Sequence, residues 1–137
     1  MQLQIVARQS HRPMPFEIST TREFSAAHAI RLYDNSMEPL HGHNWRVRVT
    51  VASADLDSIG VVMDFHELER LLDAIIKPFQ NANLNDVAPF ADGALNPSAE
   101  NISLHIGRSL PGGLPANARL TRVEVWETST NRAAYIP

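Results

Sequence analysis

The run Asn44-Trp45-Arg46-Val47-Arg48-Val49-Thr50-Val51 constrains the chain most, because apolar and polar residues alternate through it without a break. Successive side chains of an extended strand point to opposite faces, so Trp45, Val47, Val49 and Val51 share one face. A strand with one apolar face needs neighbours at its edges and a cover over that face. The rest of the chain offers both. From Phe16 to His28 the even positions Phe16, Ile18, Phe24 and Ala26 are apolar or small, while Glu17, Thr21, Glu23 and Ser25 are odd, again a period of two. The polar stretch Ala29 to Leu40 predicts a loop between these strands. Thr121 to Glu127 alternates once more, and Arg132 to Ile136 reads as a short last strand.

The cover comes from two helical patterns. Asp64 is predicted to cap the first helix on the amide of Glu67, with Glu67 reaching back in a capping box. Phe65, Leu68, Leu72, Ile75 and Ile76 then form one apolar stripe, and Pro78 ends it. After a loop from Gln80 to Leu95, Asn96-Pro97 gives a second start signal, a cap followed by proline in the first turn. Ile102, Ile106 and Leu110 are its buried stripe, and Pro111 to Pro115 is a turn. The order β-β-α-α-β-β predicts an α+β fold, with two helices on one face of an antiparallel sheet.

The 137 residues suit one domain, taken as 15–137 behind an N-terminal arm, 1–14. No run approaches the roughly 20 apolar residues of a membrane-spanning helix, and the cytoplasm is the expected compartment. A formal net charge of −3 argues against a nucleic-acid partner, since phosphate binding needs a basic surface. There is no cysteine, so any metal must rest on histidine or carboxylate.

Such ligands are present. His41-Gly42-His43 places two imidazoles at i and i+2, on one face of a strand, with Gly42 between them leaving the other face open and letting the chain bend. His28 ends the preceding strand in phase with its apolar face. If the two strands pair across the 29–40 loop, His28 joins the other two. Three neutral imidazoles with a fourth position open match a catalytic zinc site; the alternative is a set of polar strand-end residues. Glu127 follows Thr121, Val123 and Val125 on the core face. A carboxylate there needs pairing, for which a guanine-like or pterin edge with adjacent N–H and amino groups serves, unless the side chain reaches solvent.

Phe24-Ser25-Ala26-Ala27-His28, His41-Gly42-His43-Asn44, Met63-Asp64-Phe65-x-x-Leu68, Leu84-Asn85-Asp86, Asn96-Pro97-Ser98-Ala99-Glu100-Asn101 and Val125-Trp126-Glu127-Thr128 occur in this order. Together they resemble the 6-pyruvoyltetrahydropterin synthase family, which includes the bacterial 6-carboxytetrahydropterin synthase. The resemblance implies the tunnelling fold, assembled into an oligomeric barrel, commonly a hexamer of two trimers with active sites between subunits. It implies zinc on His28, His41 and His43, a pterin ring anchored by Glu127 and framed by Glu100, Ser98 and Thr128, and 7,8-dihydroneopterin triphosphate as substrate.

Two departures qualify this. The position of the family's catalytic cysteine, four before His41, holds Met37, and its neighbour gives Glu38-Pro39-Leu40-His41-Gly42-His43. This is similar to a subgroup with Glu-x-x-His-Gly-His that forms 6-hydroxymethyl-7,8-dihydropterin, which makes Glu38 the expected base for side-chain cleavage. The family's Asp-His pair before Leu-Asn-Asp is replaced by Gln80 and Asn81, which do not shuttle protons near neutral pH. His66 and His105, on helices, are expected to be structural. The competing expectation is a catalytically silent pterin- or purine-binding homologue, a sensor or carrier.

Overall fold

The structure, a computed structural model, describes residues 12–137; most of the proposed 1–14 arm lies outside them. Strand β1 runs Phe16–His28 and β2 His41–Ser53, followed by helix α1, Phe65–Ile76. A two-residue strand β3, Ala82–Asn83, precedes helix α2, Ala99–Ser109, and strands β4, Arg119–Trp126, and β5, Arg132–Tyr135, close the chain. The sheet order is β3-β1-β2-β4-β5. The expected α+β arrangement is present, with one correction. β3 lies within the predicted 80–95 loop and pairs parallel to β1 at Ala26 and Ala27, so the sheet is antiparallel apart from this short edge.

The alternation in β2 does what its period requires. Trp45, Val47, Val49 and Val51 are fully buried, and each such side chain contributes about 1.5–3 kcal/mol on leaving water. They form one core with Leu68, Leu72 and Ile76 of α1, Ile102 and Ile106 of α2, Leu110, and Val123 and Val125 of β4. α1 packs against β1, and α2 against β4 and β5. Phe65, predicted in the α1 stripe, is half-exposed instead; it is the first helical residue, before the helix settles onto the sheet.

Both helix starts differ in detail from expectation. Asp64 is the N-cap of α1, but its carboxylate accepts from the amide of His66. Glu67 does not reach back, because Arg70 on the next turn binds it. In α2 the cap is Ser98, whose hydroxyl accepts from the Asn101 amide. Asn96 and Pro97 therefore precede the helix rather than open it.

β4 also departs from its predicted phase. Its pairing with β2 shifts between Thr50 and Val51, so Leu120 is buried on one side of the irregularity and Val123 and Val125 on the other. Thr121, expected on the core face, falls at the shift, where its hydroxyl donates to the Thr50 carbonyl at 3.2 Å. One extra residue in a strand resets which positions face the core.

Candidate functional site

β1 and β2 pair without interruption from Phe16↔Ser53 to His28↔His41, with Ala26 opposite His43. The register therefore brings the three histidines to one corner of the sheet. Gly42 introduces no bend, since the ladder passes through it at Ala27↔Gly42. A Cβ there would meet only the Ala26 carbonyl, at 3.7 Å. Trp45 lies beneath the group: its ring stands edge-on to His28 and His43 at 4.9 and 5.4 Å, and its indole N–H donates to the Ala26 carbonyl at 3.2 Å.

The outer nitrogens of two rings are committed. His28 Nδ1 lies 2.7 Å from the Pro97 carbonyl and His41 Nδ1 2.8 Å from the Pro39 carbonyl. A carbonyl can only accept, so both Nδ1 atoms carry hydrogen and both Nε2 atoms present lone pairs in the neutral rings. Those two Nε2 atoms are 3.1 Å apart. Glu127 Oε1 stands 3.1 Å from His28 Nε2 and 3.0 Å from His43 Nε2. His43 Nε2 is buried and makes no hydrogen bond. One ligand atom from each of His28, His41, His43 and Glu127 lies within 4.8 Å of every other.

Lone pairs facing one another across hydrogen-bond distance repel unless a cation or a proton lies between them. The donor set thus fits a metal ion. Tetrahedral ligands held at about 2.0–2.1 Å from zinc sit about 3.3 Å apart; the His28–His41, His28–Glu127 and His43–Glu127 pairs are 3.0–3.1 Å apart and the remaining pairs lie within 4.8 Å. Burial is the largest influence on His43, and with His28 and His41 nearby it holds the imidazole below its ordinary pKa although Glu127 pulls the other way. A neutral ring is the form that binds metal.

Glu38 sits at the rim. Its Oε1 is 4.0 Å from His41 Nε2 and accepts from the Ile30 amide at 3.0 Å. Met37 is exposed and bridges to Arg31 across the 29–40 loop. Gln80 and Asn81 spend their polar groups on the sheet edge: Gln80 Oε1 accepts from the Ser25 amide, and the Asn81 amide donates to the Ser25 carbonyl. Ser98 and Glu100 lie at the start of α2, Ser98 as its cap and Glu100 exposed. Thr128 Oγ1 accepts from the Asn131 amide in the turn after β4. Among the described residues no hydrogen bond joins Ser98, Glu100 or Thr128 to the histidines. His66 is exposed beside Glu69, and His105 packs on Phe79 with its pKa lowered by burial.

Glu127 itself is one-third exposed and borders an open groove of ≈ 460 Å³ lined by His43, Arg46, Trp126 and Thr128 among others, within the usual size of small-ligand sites. Glu127, for which the sequence leaves both a paired, buried carboxylate and a solvent-reaching one open, lies between the two, whereas the fully buried acid is Glu124, 2% exposed and not foreseen from the sequence. Arg48 grips Glu124 at 2.7 and 3.0 Å and Arg132 at 2.8 Å, with Arg122 at 3.5 Å. Foremost through Arg48, its carboxyl is held below the usual range. The available signal was the pair Arg46 and Arg48 on one β2 face.

Among the described residues no helix is long and apolar enough to cross a membrane. The family model of 6-pyruvoyl tetrahydropterin synthase matches residues 17–137. A dihydroneopterin monophosphate aldolase of Pyrococcus furiosus is 35% identical over 104 residues, covering 76% of this chain and 82% of that protein. The human 6-pyruvoyl tetrahydrobiopterin synthase is 32% identical over 133 residues, covering 87% and 90%. The structure of the Caenorhabditis elegans 6-pyruvoyl tetrahydropterin synthase superposes with a TM-score of 0.76 at 22% identity, covering 90% of this chain and 97% of that one, a likeness of fold. A histidine–glutamate cluster suited to a metal thus stands on a sheet and two helices of known kind, in a chain that belongs to the 6-pyruvoyl tetrahydropterin synthase family of pterin enzymes.

Proposed function

We propose that this chain is a zinc-dependent lyase that cleaves the side chain of a 7,8-dihydroneopterin phosphate, the triphosphate or a close relative, to 6-hydroxymethyl-7,8-dihydropterin. The observation that carries the reading is the Glu38 carboxylate, 4.0 Å from His41 at the rim of the three-imidazole cluster. His28, His41 and His43 would hold the ion, and Lewis-acid polarisation of the side-chain hydroxyls is what zinc supplies when bound. Glu38 takes the proton of the second side-chain hydroxyl. The bond between the first and second side-chain carbons then breaks, the second carbon leaves as an aldehyde with the phosphate, and the ring-conjugated carbanion takes a proton to give the hydroxymethyl group. Glu127, with Ser98, Glu100 and Thr128, is assigned to the pterin ring; the half-open position of Glu127 beside the groove supports this. The similarity to a dihydroneopterin monophosphate aldolase supports the reaction type.

A silent pterin-binding homologue is favoured by one observation: Gln80 and Asn81 use their polar groups on the sheet edge and offer no titrating group. Incubation of the zinc-loaded protein with 7,8-dihydroneopterin mono- and triphosphate, followed by mass analysis, separates the two. The expected product is 6-hydroxymethyl-7,8-dihydropterin, with turnover falling about 10²-fold or more in Glu38→Gln and binding weakened in Glu127→Gln. Absence of any pterin product from wild type would leave the silent reading.

A further inference from the structure

We infer that Asn85 and Asn96 are positioning residues that hold the backbone of Ala29–Arg31 so that Ile30 fixes the carboxylate of Glu38. The inference rests on the reading of Glu38 as the base. After His28 the chain leaves the sheet; one side of residues 30–32 pairs with the 36–38 stretch, but the peptide groups of Ala29 and Arg31 turned to the other side have no strand beside them. Asn85 supplies the missing pairing at Ala29: its Oδ1 accepts from the Ala29 amide at 2.8 Å and its Nδ2 donates to the Ala29 carbonyl at 2.9 Å. Asn96 repeats the arrangement two residues on, accepting from the Arg31 amide at 2.8 Å and donating to the Arg31 carbonyl at 3.1 Å. A primary amide both donates and accepts in one plane, as a peptide group does, and a carboxylate cannot.

In an extended chain the peptide groups of alternate residues face opposite sides. With Ala29 and Arg31 turned toward the two asparagines, Ile30 turns the other way, and Glu38 meets it there. The Glu38 amide donates to the Ile30 carbonyl at 2.9 Å, and Glu38 Oε1 accepts from the Ile30 amide at 3.0 Å. Among the described residues Glu38 Oε2 makes no hydrogen bond, which leaves that oxygen for a substrate hydroxyl.

The asparagines are themselves anchored. The Asn85 amide donates to Asn83 Oδ1 at 3.1 Å, in the segment after β3. The Asn96 carbonyl accepts from Asn101 Nδ2 of α2 at 2.9 Å. The next residue, Pro97, holds the ring of His28. One approach to α2 thus orients a metal ligand and, through Asn96, the loop that carries Glu38. A shift of about 1 Å in a reacting group is enough to cost up to about 10²-fold in rate, so the clamps matter to turnover without touching substrate.

The test uses Asn96→Asp and Asn85→Asp, which keep the side-chain shape but replace a donor with an acceptor facing a carbonyl. In zinc-loaded protein, Asn96→Asp is expected to lower kcat about 10- to 100-fold with KM within about twofold of wild type and zinc content unchanged. The Glu38→Gln/Asn96→Asp double variant should be no slower than Glu38→Gln alone, because both act through one carboxylate. Independently of activity, hydrogen exchange at the Ile30 amide should quicken about 10-fold in either asparagine variant, while Val47 and Val49 stay protected and so report an intact fold. Multiplying rate effects, or unchanged Ile30 exchange, would overturn the inference. Full turnover in Glu38→Gln would overturn the base assignment instead, and Ile30 exchange would still decide whether the asparagines hold the loop.

Discussion

Glu124 shows how much of a side chain's character comes from the strands beside it. Its guanidinium partners come from three places: Arg48 on β2, Arg122 on its own strand and Arg132 on β5. Hydrogen bonds to charged groups contribute about 1.5–3 kcal/mol, and the arginines, each about two-fifths exposed, place the effect toward the lower end. Glu124→Gln is therefore expected to cost about 1–2 kcal/mol in urea unfolding at pH 7. The folded-state carboxyl is held low, so its contribution is present above the unfolded-state pKa and is lost as pH falls through the folded value. The gap between wild type and variant should close from about pH 4 downward; a gap that persists there would mean that shape rather than charge is at stake. Little of this was visible in the sequence. Glu124 reads as an outward residue of an alternating strand, and only the pairing Arg48↔Glu124 and Glu124↔Ala134 brings the arginines together. The three histidines were far easier to find, because their ladder needs only two consecutive strands in register.

At the scale of elements, the long periodic segments were legible and the short or irregular ones were not. β1 spans the residues its alternation predicts, and the α2 stripe is buried as expected. β3 is two residues long and owes its existence to β1 beside it and to Asn81, whose φ of 56° turns the chain onto that edge; no local pattern announces it. The shift in β4 is likewise invisible, since Leu120, Val123 and Val125 fit neither a strict two-residue period nor a helix. The contact between α2 and β5 gives a prediction whose sign departs from helix propensity. Gly107 is buried inside α2, and a Cβ there would overlap the Tyr135 ring of β5. Alanine is worth about 1 kcal/mol over glycine within a helix, whereas overpacking costs about 1–3 kcal/mol. Gly107→Ala should thus destabilise in thermal unfolding, yet stabilise by about 1 kcal/mol once Tyr135→Ala has removed the ring. A gain in both backgrounds would mean that the ring swings aside freely.

The molecule as a whole has unfinished edges. β3 covers only Ala26 and Ala27 of β1, so among the described residues the outer edge of β1 before Ser25 has no strand beside it, and β5 ends the sheet on the other side. Near the first edge Phe16, Leu56 and Phe65 are exposed around one shallow hollow. Open edges flanked by apolar residues favour pairing with another chain. The expected state is a hexamer in which copies close these edges into a barrel, and sedimentation at micromolar concentration checks it; a monomer would contradict it. One feature of the ladder reaches beyond catalysis. His28 and His41 face each other at the neck of the 29–40 loop, so an ion gripped by both is a cross-link, in a chain with no cysteine to make one. Unlike a disulfide, such a bridge exists only in the folded form, so it acts by mass action and adds about 2.7 kcal/mol at 100-fold excess over its Kd. Zinc added to stripped protein should raise Tm in a concentration-dependent way, and His43→Ala should flatten that response while leaving the metal-free Tm nearly unchanged. Zinc supply would then govern how long the chain survives as well as how fast it works.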